Sequence, residues 1–325
     1  MKNIIELYSK LKKQSVSKKG FTTVTCLLSS EIFLLGVSEQ NTPMFLIDCE
    51  FSEPTTDLNL ECISVLFNKK CNLFDNEKQF SKTCSIITLN NENYDFQNYF
   101  LEVIYLLLQN FPKVPTSEQI KDEIGKIVKL FSCASSPAVK TVQGLWAELL
   151  VISQSSNPEY LIKSWHSSPK SKFDFNDGID KIEVKSTSNT KRIHSFALEQ
   201  LLPNENSKLV IASVLAIQTG MGMNIKDLRN MIVSRVENIK LQVSLDSIIF
   251  QTLGNDLEKS FDFYYDYQQA VDELSFFYSE KIPKINREQI PSEISNVKFS
   301  CDLSNIECIS DDELKTTNST LLRSL

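Results

Sequence analysis

The chain has 325 residues, 42% hydrophobic and 23% charged, enough for one large domain or two ordinary ones with a packed core. Its formal net charge is −7, so a nucleic-acid surface must be a local concentration of bases rather than a general property. With 8 glycines a glycine-rich binding scaffold is excluded, and with 2 histidines a histidine triad or a zinc site has almost no material.

The stretch Met1–Lys19 is lysine-rich and lacks the apolar core of a secretory leader. Strand patterns follow at Phe21–Leu28, Ile32–Val37, Met44–Ile47, Cys62–Phe67 and Cys84–Leu89, where β-branched and aromatic residues are separated by turn residues. They predict an antiparallel β module. Phe96–Phe111 has helical spacing, with Phe100, Ile104, Leu107 and Leu108 on one face. Pro112 and Pro115 then mark a boundary, dividing the chain into a β-rich domain, 1–112, and a second domain, 113–325. Ser117 is the expected cap of a helix over Glu118–Phe131, and a second helix is expected over Ala138–Ser153.

Next comes a β-hairpin pattern: Phe173-Asp174-Phe175, the turn Asn176-Asp177-Gly178, then Ile182-Glu183-Val184-Lys185. A short helix capped by Ser195 is expected over Ser195–Leu202. Leu209–Ile217 follows as a buried strand whose apolar run only Ser213 interrupts. Ile225–Ile239 reads as helix, Phe261–Tyr265 and Val297–Cys301 as strands, Ala270–Leu274 as part of a helical or wing segment, and Thr316–Leu325 as a polar tail. Helix, strand, strand, helix, strand is the order of a mixed α/β core. None of the eight cysteines forms a Cys-x-x-Cys pair, so reduced, mostly buried thiols and a cytoplasmic location are expected. Leu209–Ile217, the most apolar stretch, is too short to span a bilayer, so no membrane partner is expected.

The hairpin carries the chemistry. Side chains alternate along a strand, so Glu183 and Lys185 share one face while Ile182 and Val184 take the other. Asp174, flanked by Phe173 and Phe175, turns the same way. Two carboxylates and one ammonium at one place suit divalent-metal hydrolysis of a phosphodiester. Asp180, three residues before Glu183, faces the opposite side. Asp177 belongs to the turn and is the reserve for Asp174. Glu313-Leu314-Lys315 repeats the acid-x-lysine spacing without an apolar strand around it and is read as chance. Bases also gather here, from Lys163 to Arg192. Lys170, Lys172, Lys191, Arg192 and His194 are the expected DNA contacts, a plain surface position being the alternative for His194. Trp165 reads as core, with base stacking the alternative.

Taken together, Gly144-Leu145-Trp146-Ala147-Glu148-Leu149, Asp174-Phe175, Glu183-Val184-Lys185-Ser186-Thr187 and Ser195-Phe196-Ala197-Leu198-Glu199-Gln200-Leu201 resemble the PD-(D/E)xK nuclease superfamily. The resemblance covers about Ala138–Ile217. Phe173 stands where the superfamily often has proline. More narrowly, the arrangement is similar to a bacterial branch found in phage-defence gene clusters, whose members carry a β-rich N-terminal part. The resemblance implies a restriction-endonuclease-like mixed sheet flanked by helices, of the α/β class. It implies Mg²⁺ or Mn²⁺ held by Asp174, Glu183 and the Val184 carbonyl, with Glu148 reaching in from its helix. Lys185 would position the attacking water, and Gln200 would orient Lys185 or contact the scissile strand. DNA, protein partners from a defence system and a second copy of the chain are the implied partners. A non-catalytic DNA-binding or scaffolding subunit is the alternative, and the β-rich part would serve targeting or docking.

No Walker loop and no Gly-x-Ser-x-Gly elbow is present. Gly220-Met221-Gly222 follows a strand and precedes a helix, but Ile225 stands where a dinucleotide loop needs its third glycine.

Overall fold

The computed structural model describes residues 4–14, 21–28, 30–52, 55–75, 78–112, 115–133, 141–165, 172–201, 206–285, 290–292 and 294–325. The chain forms two compact units, Met1–Val139 with Ile249–Glu258 and Lys140–Ile248 with Lys259–Leu325.

The first unit begins with α1 (Ile4–Gln14), followed by β1 (Thr22–Leu27), β2 (Ser30–Val37), β3 (Pro43–Asp48), β4 (Leu58–Asn59), β5 (Ile63–Asp75) and β6 (Lys78–Leu89). Their sheet order is β1-β2-β3-β6-β5-β4, and β1 also pairs with β5 in parallel. That extra pairing closes five strands into a ring, which leaves few unpaired sheet edges. Val24, Leu34, Leu46, Leu73, Cys84 and Ile86 fill one cluster of its core. At Gly36 a Cβ would meet Leu46 Cδ1 and Met44 Cγ, both at 3.0 Å, so glycine lets β2 and β3 pack closely there.

Two helices follow, α2 (Tyr94–Leu108) and α3 (Ser117–Cys133). Asn93 caps α2, accepting from the backbone N–H groups of Asp95 and Phe96. The cap of α3 is Thr116, not the expected Ser117. Its hydroxyl accepts from the Gln119 N–H while the Gln119 side chain accepts from the Thr116 N–H, a reciprocal capping box. The Phe131 ring lies 5.2 Å from Phe100 and 5.0 Å from Phe250, centroid to centroid. Those contacts tie α3 to the first unit, so the boundary expected at residue 112 falls inside that unit rather than at its end.

The second unit contains α4 (Val142–Gln154), α5 (Pro158–Ser164), β7 (Phe175–Asn176), β8 (Lys181–Thr187), β9 (Ile193–Ala197), β10 (Leu209–Leu215), β11 (Gln218–Thr219) and α6 (Ile225–Arg235). Then come α7 (Ile239–Leu253), α8 (Leu257–Ser260), β12 (Tyr264–Tyr265), α9 (Tyr267–Asp272), β13 (Ser275–Tyr278), β14 (Lys298–Asp302), α10 (Asp311–Thr316) and α11 (Thr320–Arg323). The last residues of α7, from Ile249, and part of α8 are counted with the first unit. A four-stranded sheet has the order β13-β10-β8-β7. Its central pair, β8 and β10, is parallel, and both outer pairs are antiparallel. Every residue of β10 is buried, as its near-continuous apolar run requires. The architecture is mixed α/β.

Four sequence expectations change here. Ser195 does not cap a helix. Residues Ile193–Ala197 pair in register with Lys298–Asp302 of β14, and a short 3₁₀ turn over Leu198–Leu201 follows. The alternating burial of β9, with His194 and Phe196 inside, is the period-two pattern of a strand. The helix expected to run to Ile239 ends at Arg235, and the strand expected over Phe261–Tyr265 shrinks to Tyr264–Tyr265. The expected polar tail contains α11, whose Leu321 and Leu322 are fully buried. Ser155 donates its hydroxyl hydrogen to the Ser324 carbonyl at 2.5 Å, binding that segment to the end of α4.

Candidate active site

The β7–β8 hairpin is held by its own turn. Asp177 Oδ1 accepts from the N–H groups of Ile179 and Asp180 at 2.9 and 2.8 Å, and Gly178 adopts φ +92°. Tyr160 donates its phenolic hydrogen to Asp177 Oδ2 at 2.9 Å. Both Asp177 oxygens therefore serve the turn and its anchor. Asp180 has a similar duty, accepting from the Lys208 N–H at 2.8 Å and so aligning the starts of β8 and β10. The third aspartate around the hairpin, Asp174, bonds instead to the strand that carries Glu183 and Lys185. β7 pairs with β8 through Phe175↔Ile182 and Asn176↔Lys181, starting one residue after Asp174. Asp174 Oδ2 accepts from the Val184 N–H at 2.8 Å.

Glu183 and Lys185 share one face of β8, as alternation demands. Lys185 Nζ lies 2.9 Å from Glu183 Oε1 and donates to Gln200 Oε1 at 3.0 Å. The Ala197 N–H donates to the same amide oxygen at 3.0 Å, while Gln200 Nε2 donates to Glu183 Oε1. Only one orientation of the Gln200 amide satisfies these groups, because the lysine and the backbone N–H only donate and the carboxylate only accepts. The 3₁₀ turn thus supplies a side chain that reads both members of the ion pair. The Phe196 ring lies 5.6 Å from Lys185 Nζ. With the lysine side chain 16% exposed and the glutamate 5%, the pair is largely withdrawn from solvent screening.

The opposite face of β8 meets α4, where Gln143 donates to Ser186 Oγ at 3.2 Å. Thr141 caps that helix and Leu145, Trp146, Leu149 and Leu150 bury it, which fixes Glu148 on its inner side. Trp165 donates its indole N–H to Glu148 Oε2 at 2.7 Å. Glu148, Glu183 and Asp174 are all buried, at 2, 4 and 6% exposure. They are not gathered into one cluster, however: among the described residues no three His, Cys, Asp or Glu side chains stand together as a metal site. The expected four-ligand set is corrected to that extent. Trp165 engages Glu148, whereas Lys185 and Gln200 engage Glu183.

The expected DNA contacts divide. Lys172 and Lys191 are exposed, and Lys170 lies outside the described residues. The Lys172 Nζ sits 4.9 Å from the Phe173 ring centroid, and partial desolvation holds its pKa below the usual lysine value. Arg192 and His194 have partners inside the protein. Arg192 Nη1 donates to the Ser213 hydroxyl at 3.0 Å and to the Ser213 carbonyl at 3.2 Å, and Nη2 lies 3.1 Å from a Glu273 carboxylate oxygen. His194 is 2% exposed, with Nε2 2.8 Å from Ser213 Oγ. Burial first, then the neighbouring Arg192 and Lys185 charges, push its pKa down to about 4.

Two residues gain importance from the structure. Ser213 pairs with Lys185 across the parallel β8–β10 ladder and gathers Arg192 and His194. Its signal was visible as the single polar interruption of an apolar strand. Trp165 carried no such signal, because its partner lies 17 residues earlier on another helix.

The geometry thus brings Asp174 against the Val184 N–H, pairs Glu183 with Lys185 and joins both to Gln200. The chain belongs to the family described as "Putative PD-(D/E)XK family member" (DUF4420), whose model matches residues 4–304. No curated protein and no solved structure matches the chain. Among the described residues no helix is long and apolar enough to cross a membrane.

Proposed function

We propose that this protein is a divalent-metal-dependent nuclease that hydrolyses DNA phosphodiester bonds in bacterial anti-phage defence. One observation carries the reading. A single hairpin sets Asp174 against the Val184 amide and presents Glu183 and Lys185, bridged by Gln200, on the adjoining strand face. The sheet order β13-β10-β8-β7, with α4 ahead of the hairpin, supports a restriction-endonuclease-like core.

This reading calls for Mg²⁺ or Mn²⁺, because carboxylates are hard oxygen donors. Asp174 and Glu183 would offer hard carboxylate oxygens, and Val184, which follows Glu183 in the chain, its main-chain carbonyl. Glu148, on α4, would act through a water or toward a second ion. A bound cation would polarise a phosphoryl oxygen and make a coordinated water more acidic. Lys185 directs its ammonium at the attacking water and stabilises the charge that develops on the phosphoryl group. Gln200 fixes the lysine's rotamer through its amide oxygen, so the ammonium is pre-oriented rather than recruited. Lys172, Lys191 and residues of the Lys170 segment would hold backbone phosphates. The β-rich first unit would recruit the target or partner proteins, in the cytoplasm, and cutting both strands would use a second copy of the chain.

The closed Glu183–Lys185–Gln200 set also favours a second reading, a DNA-binding or scaffolding subunit without catalysis, because each member already has a partner inside the protein. Metal calorimetry separates the two. Wild type should bind Mg²⁺ or Mn²⁺ saturably, and Asp174→Asn should remove that binding; wild type that binds neither ion supports the non-catalytic reading.

A further inference from the structure

We propose that Cys71 and Cys84 form a redox-active dithiol in the β-rich first unit, in which hydrogen peroxide oxidises Cys71 and Cys84 then closes a disulfide to it.

The register of the sheet places the two thiols. Cys71 on β5 pairs with Lys82 on β6, and Lys69 on β5 pairs with Cys84. The cysteines are therefore diagonal neighbours on one face of the sheet. Both enter the core cluster that holds Leu34, Leu46 and Leu73, Cys84 buried within it and Cys71 partly exposed at its margin. Cys71 Sγ donates to the Lys69 carbonyl at 3.3 Å, so its sulfur leans along β5 toward the residue that faces Cys84. The two thiols also share a hydrogen bond. A core cysteine is most often a small apolar residue. Contact with a second thiol, and access to solvent for one of the two, set this pair apart.

The shared hydrogen bond divides the roles. Donation from Cys84 holds the Cys71 thiol below the ordinary cysteine pKa, against the opposing effect of burial. The same bond, followed by burial, pushes the Cys84 thiol up. Cys71 is thus the thiol that more readily becomes a thiolate, and it is the one that a small oxidant can reach; a peroxide-reactive cysteine needs both properties. Its sulfur attacks the O–O bond, becomes the sulfenic acid and releases one water. The Cys84 sulfur then gives up its proton, attacks the Cys71 sulfur, forms the S–S bond and expels the second oxygen as water. The two thiols lose two electrons and two protons, and one hydrogen peroxide becomes two waters.

Diagonal neighbours in a sheet stand about 7–8 Å apart. A disulfide usually spans Cα atoms up to about 6.8 Å apart, so closure draws β5 toward β6. The β5–β6 ladder is already interrupted between Leu66 and Lys69, immediately before Cys71, where β5 can adjust. A bond formed in this way is readily reduced, which suits a reversible switch rather than a permanent staple. Leu73, two residues beyond Cys71, pairs with Thr22 of β1, so the dithiol lies beside the contact that closes the ring.

The experiment treats the dilute, folded full chain with hydrogen peroxide, alkylates the remaining thiols in denaturant, and maps the digest by mass spectrometry. The expected product is a peptide pair joined through Cys71 and Cys84, lighter by two hydrogens and lost on treatment with dithiothreitol. Exposed Cys26 and Cys308 are internal controls and should remain alkylatable at the dose that completes this link. Cys84→Ser should stop Cys71 at the sulfenic acid, trapped by dimedone, and Cys71→Ser should leave Cys84 reduced. Cys71 and Cys84 both alkylated after Cys26 and Cys308 have been oxidised overturns the proposal. So does Cys71 joined to another cysteine, or carried on to sulfinic acid without the link. The wild-type map decides even if a variant fails to fold, and its outcome is independent of the nuclease reading.

Discussion

His194 offers a quantitative prediction, because a buried neutral histidine converts directly into pH-dependent stability. Its pKa falls from the ordinary 6.5 to about 4 in the folded protein. The sign follows from proton counting. Between those two values the unfolded chain binds a proton that the folded one refuses, so stability rises with pH across that window. The contribution is fully present above pH 6.5 and is lost as pH falls toward 4. At about 1.4 kcal/mol per pH unit, the full window is worth about 3 kcal/mol, and about 2 kcal/mol of it disappears between pH 7.5 and pH 5. His194→Gln removes the titrating group while keeping a side chain able to bond Ser213. Urea unfolding followed by tryptophan fluorescence reports the second unit, since Trp146 and Trp165 both belong to it. Wild type should lose about 2 kcal/mol more than His194→Gln on going from pH 7.5 to pH 5. The other titrating groups cancel in that difference. Equal losses in the two proteins would refute the burial and charge environment assigned to His194.

Other parts of the structure predict distinct outcomes. Arg229 reaches Asp246 through two bonds of 2.9 and 2.7 Å, both partners buried, so Asp246→Asn should destabilise the second unit by about 3–5 kcal/mol, whereas replacing both residues by apolar ones should recover most of that loss in chemical denaturation. At Gly222 a Cβ would stand 2.1 Å from the Tyr265 carbonyl oxygen, so Gly222→Ala should lower the thermal midpoint, and an unchanged midpoint would contradict the loop geometry. Thr116→Ala should cost about 1 kcal/mol as the loss of a helix cap, while Ser117→Ala should be close to neutral; the reverse ranking in urea midpoints would return the cap to Ser117.

The parts of the site that were legible in the sequence are those carried by local alternation. Phe173-Asp174-Phe175 and Ile182-Glu183-Val184-Lys185 encode which side chains share a face, and the β7–β8 pairing follows them. The choice between Asp174 and Asp177 turns on Tyr160, whose hydroxyl comes from a different helix, and no spacing rule announces that contact. Arg192 and His194 show the opposite failure. A basic run reads the same whether it faces solvent or is covered, and here the partners are Ser213 of β10 and Glu273, both later in the chain. Long-range pairing with β14 turned a capped-helix signal at Ser195 into a strand. In the first unit, the individual strands were readable from β-branched runs. The parallel β1–β5 contact that closes them left no local trace, because each strand satisfies its own alternation with or without it.

The most direct test of the nuclease account is cleavage of supercoiled plasmid by the full chain with Mg²⁺, Mn²⁺ or EDTA, comparing wild type with Lys185→Ala. The account predicts metal-dependent nicking or linearisation by wild type, abolished by EDTA and reduced by about 10²–10³-fold in the variant, the scale expected when one charge-stabilising donor is removed from an active site. Cleavage by Lys185→Ala at the wild-type rate, or cleavage that persists in EDTA, would contradict it.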